Sequence, residues 1–271
     1  MSTTLAACVQ LQGSSDVERN LQVTERLVRR AAQAGARLIA TPEATTYLGP
    51  HDRKIKLAEP VDGPTHRRLA DLAAELGIWL LVGSVAERAE GDPARCHNTS
   101  LLFDPEGRLA ASYRKMHLFD VDIPGGVRFQ ESATCAPGDT PVVVDTPLGV
   151  LGLSICYDLR FPELYRTLVD RGAQLLAVPS AFTLMTGKDH WHALLRARAI
   201  ETQCYVLAPA QFGAHDDAGL RHSYGHSVII DPWGVVIGQC SDGEGICLAE
   251  LDPERVAAVR RAMPLAAHRR I

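Results

Sequence analysis

The chain opens with an apolar stretch over residues 5–11 that reads as a buried strand. Behind it, Val17, Leu21, Val28 and Ala32 fall near helical spacing, predicting a helix over 16–34 that Gly35 stops. A short apolar strand at 37–41 halts at Pro42-Glu43. The spacing of Leu69, Leu72, Ala73 and Leu76 predicts a second helix over 65–76, closed by Gly77. Strands are predicted at 78–85, 99–103 and 109–113, the last two joined by the turn Asp104-Pro105-Glu106-Gly107. A stretch rich in Gly, Pro and Asp over 117–138 reads as a loop.

The rhythm then returns. Strands at 142–145 and 150–155 lead to Cys156, and Pro162 opens a helix that runs to about residue 171. A strand at 174–178 stops at Pro179-Ser180, and a helix over 189–202 leads into a strand at 204–209. Strands at 228–230 and 235–239 flank Asp231-Pro232-Trp233-Gly234. A strand at 246–251 and a helix opened by Pro253 end the pattern.

Two echoes link the halves. Leu38-Ile39-Ala40-Thr41-Pro42 resembles Leu175-Leu176-Ala177-Val178-Pro179, and Ser100 to Gly107 resembles Ser227 to Gly234. Short apolar strands and Asp-Pro-x-Gly turns recur by chance, but two echoes in the same order favour two similar sheets packed face to face, with helices outside. The expected class is α/β, with mixed sheets in one domain over residues 1–271.

Composition narrows the function. Of 271 residues, 46% are hydrophobic and 22% charged, enough to bury a sizeable core. The net charge is −4 and no basic block occurs, which argues against nucleic acid as a partner. The first eight residues lack the pattern of a secretory leader, and no apolar run reaches the ~20 residues of a membrane span. Seven widely spaced cysteines fit reduced thiols and a cytoplasmic location better than a disulfide framework.

Three chemically capable residues stand at predicted strand ends: Glu43, Lys115 and Cys156. Polar groups at strand ends can converge over one edge of a sheet. A thiol, a carboxylate and an ammonium there would supply a nucleophile, a proton acceptor and an oxyanion partner. Each also has a plain alternative: a solvated loop acid, a surface lysine, an inert core cysteine.

The residues around them carry a resemblance. Thr41-Pro42-Glu43, Tyr113-Arg114-Lys115-Met116-His117-Leu118, Cys156-Tyr157-Asp158-Leu159-Arg160-Phe161-Pro162-Glu163 and Pro179-Ser180-Ala181-Phe182 are similar to the signature blocks of the nitrilase superfamily of carbon–nitrogen hydrolases. The resemblance runs from about Leu5 to Arg270. It implies a four-layer α-β-β-α sandwich and a Glu43–Lys115–Cys156 triad working through a thioester, with Glu131 as a further glutamate. It also implies homodimers or larger assemblies. In such a site Lys115 and helix N–H groups would lower the Cys156 pKa, and the Tyr157 N–H would join Lys115 at the oxyanion. Proximity of Glu43 and Glu131 would raise one carboxyl pKa. No metal or organic cofactor is implied.

Within the superfamily the chain most resembles amidases acting on deaminated glutathione, through Arg196 to Val206 and Ser223-Tyr224-Gly225-His226-Ser227. This implies a small-molecule amide bearing a carboxylate, cleaved to 2-oxoglutarate and cysteinylglycine. The sister ω-amidase reaction, releasing ammonia from 2-oxoglutaramate or succinamate, stays open, as do another aliphatic amide or a nitrile. Arg160 is the candidate carboxylate partner, with Thr183 as a hydroxyl donor; a structural ion pair of Arg160 with Asp158 or Glu163 is the alternative. His192 stands where relatives commonly carry an acid. A zinc site drawn from His190, His192, His222 and His226 has poor spacing. A redox role for Cys156 lacks a Cys-x-x-Cys partner, and the intact triad disfavours a silent interaction protein.

Overall fold

The computed structural model describes residues 3–122, 128–215 and 221–271, so part of the loop expected over 117–138 lies outside the described residues. Alternation along Thr4–Leu11 sets the layering. Ala6 and Cys8 face one core, while Ala7, Val9 and Leu11 face another, as the two-residue period of a strand requires. Leu38 and Ala40 join the first core and Ile39 the second. Helices Val17–Gln33 and Pro64–Leu76 close the second core through Leu21, Val28, Leu69 and Leu72. The first core is shared with another sheet, through Leu151, Leu153, Leu175 and Ala177. Helices Pro162–Asp170 and Leu184–Thr202 cover that sheet, adding Leu164, Leu168, Trp191 and Leu195. The layers are therefore helix, sheet, sheet, helix.

The first sheet runs His222–Tyr224, Ala210–Ala214, Thr4–Leu11, Leu38–Ala40, Trp79–Arg88, Cys96–Phe103 and Leu109–Arg114, with Gly245–Leu251 antiparallel to Thr4–Leu11. The second runs Val236–Gln239, Val228–Ile230, Tyr205–Ala208, Leu175–Ala177, Gly149–Leu153 and Val143–Thr146. Three parallel strands followed by an antiparallel hairpin recur in each. The echoed segments occupy matching places. Both echoed turns are built alike: Asp104 Oδ1 accepts the N–H groups of Glu106 and Arg108, and Asp231 Oδ1 those of Trp233 and Val235.

Some elements depart from the sequence pattern. The helix expected at 189–202 begins at Leu184, five residues early, because the Thr183 hydroxyl caps it and Gly187 packs against Tyr224. The loop between the halves contains a small hairpin, Asp120–Asp122 with Arg128–Gln130. Ala210–Ala214 and His222–Tyr224 form an unforeseen hairpin on the first sheet. Helix His51–Lys56 buries no residue and left no apolar stripe to read.

Gly83 sits where the two echoed strand ends meet. A Cβ there would lie 2.0 Å from the Thr41 carbonyl oxygen, 2.5 Å from that of Pro42 and 2.6 Å from the Pro179 ring. Only glycine permits that approach.

Candidate active site

Glu43 follows the strand Leu38–Ala40 on a tightly tied loop. The neighbouring strand bulges between Val82 and Val85. There the Ser84 hydroxyl accepts the Ala44 N–H at 2.8 Å, and the Ser84 carbonyl accepts the Thr45 N–H at 2.9 Å. Both Glu43 oxygens are engaged: Oε2 accepts the Ala181 N–H at 2.8 Å, and Oε1 accepts Asn98 Nδ2 at 2.9 Å and Lys115 Nζ at 3.0 Å.

Lys115 leaves the strand Leu109–Arg114, its own N–H bound to the Asn98 carbonyl at 2.9 Å. Its side chain is 1% exposed, and its ammonium also donates to Glu131 Oε2 at 2.9 Å. Glu131 opens the 3-10 turn Glu131–Ala133, and its carboxylate further accepts the Phe119 N–H at 2.7 Å and Asn98 Nδ2 at 3.1 Å.

Cys156 follows the strand Gly149–Leu153, with φ 49°. That left-handed conformation is strained for a side chain with a Cβ and marks many functional sites. Its N–H donates to the Pro179 carbonyl at 3.0 Å. It opens the 3-10 turn Cys156–Arg160, where first-turn N–H groups such as that of Tyr157 have no intrahelical acceptor. Asp158, fully buried, ties this turn to the lysine strand. It accepts from the Ile155 N–H (2.8 Å), the Tyr113 hydroxyl (2.7 Å) and both the N–H (3.0 Å) and Nδ1 (2.7 Å) of His117.

The electrostatics correct one expectation. Burial, reinforced by the Glu43 carboxylate, pushes the Cys156 thiol well above its ordinary range, although Lys115 pulls the other way. Cys156 therefore rests as a thiol, because burial and the Glu43 carboxylate outweigh the pull of Lys115. Glu131 is lowered: burial opposes its ionisation, but Lys115 and then Lys54 outweigh it and bring it down to about 2. Lys115 itself is held well above the lysine range; burial opposes its charge, and Glu131 and Glu43 restore it.

These groups line one cleft of about 970 Å³, which also reaches Lys54, Phe129 and Phe182. Arg160 and Thr183 line it too. Arg160 makes neither of the ion pairs considered from sequence; Asp158 already accepts four hydrogen bonds from other donors. Instead its guanidinium stands 5.2 Å from the Phe182 ring centre and donates to His190 Nδ1 at 3.3 Å. Thr183 caps the helix Leu184–Thr202 and shares a 2.8 Å hydrogen bond with the Thr186 hydroxyl. Of the four histidines weighed for zinc, His190 bonds Arg160, His192 bonds Gln239 and meets the His226 ring edge-on at 5.9 Å, His226 stacks on the Tyr224 ring, and His222 lies on the edge strand His222–Tyr224.

Sequence reasoning missed Asn98, which bridges the two glutamates, and Lys54. Asn98 lies one residue before the expected strand start, and its importance comes from pairing with Lys115. Lys54 sits on a helix without a readable stripe.

Arranged this way, a thiol, a fixed carboxylate and a buried ammonium can open an acyl carbon–nitrogen bond. Comparison with known proteins bears on that chemistry. Residues 5–261 match the family described as carbon-nitrogen hydrolase. The chain belongs to this family. Its carbon-nitrogen hydrolase relatives include the deaminated glutathione amidase of Synechocystis, 43% identical and covering 99% of each chain. The omega-amidase NIT2 of Mus musculus is 40% identical, covering all of this chain and 96% of the relative. The crystal structure of the Caenorhabditis elegans NitFhit protein superposes with a TM-score of 0.94 at 44% identity. It covers this whole chain, which spans 66% of the longer fusion. The α-β-β-α sandwich expected from sequence is thus the fold of this carbon-nitrogen hydrolase. Among the described residues no helix is long and apolar enough to cross a membrane.

Proposed function

We propose that this carbon-nitrogen hydrolase is an amidase that cleaves deaminated glutathione to 2-oxoglutarate and cysteinylglycine. The observation that carries the reading is the buried triangle of Lys115 with Glu43 at 3.0 Å and Glu131 at 2.9 Å, in electrostatic contact with Cys156. Glu43 takes the Cys156 proton as sulfur attacks the amide carbon. The oxyanion is met by Lys115 and the Tyr157 N–H. Glu43 then protonates the departing nitrogen and activates water to hydrolyse the thioester. Glu131 holds Lys115 in place throughout. Arg160, which lines the cleft and donates to His190 Nδ1, receives the substrate carboxylate. Thr183 supplies a hydroxyl beside it.

The higher identity to the deaminated glutathione enzyme supports this substrate over the ω-amide. Replacing Cys156→Ala is expected to lower kcat at least about 10³-fold with the fold retained. Supplying deaminated glutathione and 2-oxoglutaramate side by side, and measuring cysteinylglycine and ammonia, tests the substrate. Faster ammonia release would replace this reading with the ω-amidase one. We further infer a cytoplasmic location from the reduced-thiol pattern, and self-association into a dimer or larger assembly. Exposed Trp233 and Val235, beside exposed Ile200, supply an apolar patch for such a contact, which sedimentation would read.

A further inference from the structure

Behind the glutamates lies a second thiol site that the hydrolytic reaction does not use. Cys96 and Cys135 are both fully buried and, with Ala58, form a small cluster apart from the two main cores. Their backbones pair as a parallel β-bridge, fixed by Cys96 N–H to the Thr134 carbonyl at 3.0 Å and Ala136 N–H to the Cys96 carbonyl at 2.9 Å. Paired backbones lie about 4.8 Å apart, inside the Cα range of roughly 4.4–6.8 Å that a disulfide spans. Lys54, whose side chain lines the cleft, donates to Cys135 Sγ at 2.9 Å.

Each cysteine is two or four residues from the site. Cys96 heads the strand whose third residue, Asn98, bridges Glu43 and Glu131. The Cys135 N–H donates to the Glu131 carbonyl at 2.8 Å. Lys54 acts electrostatically on both Cys135 and Glu131.

We propose that Cys96 and Cys135 are a redox-active dithiol, oxidised by peroxide to a disulfide that frees Lys54 from Cys135 and lowers the activity of the Glu43–Lys115–Glu131 site. The Cys135 thiolate attacks one peroxide oxygen; the O–O bond breaks and the departing hydroxide takes a proton as water. The Cys96 thiol then attacks the resulting sulfenic acid, forming the S–S bond and expelling a second water. The Lys54 ammonium, 2.9 Å from Cys135 Sγ, assigns the attacking role to Cys135. A hydrogen bond from Cys96 brings the Cys135 thiol down to about 6, with Lys54 adding to it against burial, while the same contact raises Cys96. After oxidation the Lys54 ammonium has lost its sulfur partner and bears on Glu131, which weakens the grip of Glu131 on Lys115.

The test treats wild type, Cys96→Ser, Cys96→Ala and Cys135→Ser with hydrogen peroxide and maps peptides by mass without reduction. The expected result is a Cys96–Cys135 cross-link in wild type alone. Wild-type kcat falls about fivefold, at the low end of coupling between linked sites, and dithiothreitol restores it. Both Cys96 variants lack the reversible loss; the alanine buries no hydroxyl and guards against a folding defect. No cross-link, a cross-link that leaves kcat unchanged, or an equal reversible loss in the Cys96 variants overturns the proposal. The cross-link is read by mass, so its outcome is separate from the identity of the amide.

Discussion

At the scale of single residues, the chemistry turns on where protons rest. Burial and the Glu43 carboxylate hold the Cys156 thiol above its ordinary range, so the proposed attack calls for Glu43 to take its proton. Glu43→Gln keeps the shape, removes the proposed base, and turns an amide donor toward either the Ala181 N–H or the Asn98 and Lys115 nitrogens. Its kcat is expected to fall by about 10²–10⁴-fold, the usual contribution of a positioned base. Steady-state kinetics check this, and a loss under threefold would give the proton to another group. Glu43, Lys115 and Cys156 were legible because each ends an apolar strand within a recognisable block. Asn98 and Asp158 were not: an asparagine between two acids, and an aspartate that ties its turn to Tyr113 and His117, take their meaning from contacts 33 to 55 residues apart.

At the scale of elements, periodicity found the strands that alternate between two cores and the helices with one apolar stripe. It failed where a segment owes its form to neighbours. The helix Leu184–Thr202 buries Gly187, Trp191, Leu195, Arg198, Ala199 and Thr202, one face by spacing, but a glycine, an arginine and a threonine on that face blur its apolar signal. The edge hairpin Ala210–Ala214 with His222–Tyr224 exists because the first strand offers Gln10 and Leu11 as partners. The Thr183 cap belongs to this scale. Thr183→Ala is expected to destabilise the protein by roughly 1 kcal/mol, as loss of a hydroxyl cap does. Thr183→Ser is expected to retain stability, and urea unfolding of both variants measures it. If Thr183→Ala left stability unchanged while raising KM, the hydroxyl would serve substrate alone.

At the scale of the whole molecule, the buried charges set how stability responds to acid. Glu131 is depressed to about 2 when folded, so the folded state binds fewer protons than the unfolded chain at mildly acidic pH. Its stabilisation is present above the unfolded value near 4.3 and is lost as pH falls towards 2, about 3 kcal/mol in all. Glu87, lowered by Arg114 and Thr99 against the cost of burial, adds in the same sense. Thermal midpoints between pH 7 and 2 are expected to drop most steeply below about pH 4. Glu131→Gln should flatten that limb, and an unchanged slope would discharge Glu131 from this role.

The missing methyl group at Gly83 has a reach beyond its own strand. Through it the backbone that carries Glu43 touches the Pro179 ring, and the Pro179 carbonyl holds the Cys156 N–H. The spacing between Glu43 and Cys156 is thus gauged by main chain and one rigid proline ring, with no flexible side chain able to shim it. Substitutions elsewhere in the two sheets can be absorbed by repacking; at Gly83 a single added carbon widens the span that a proton must cross.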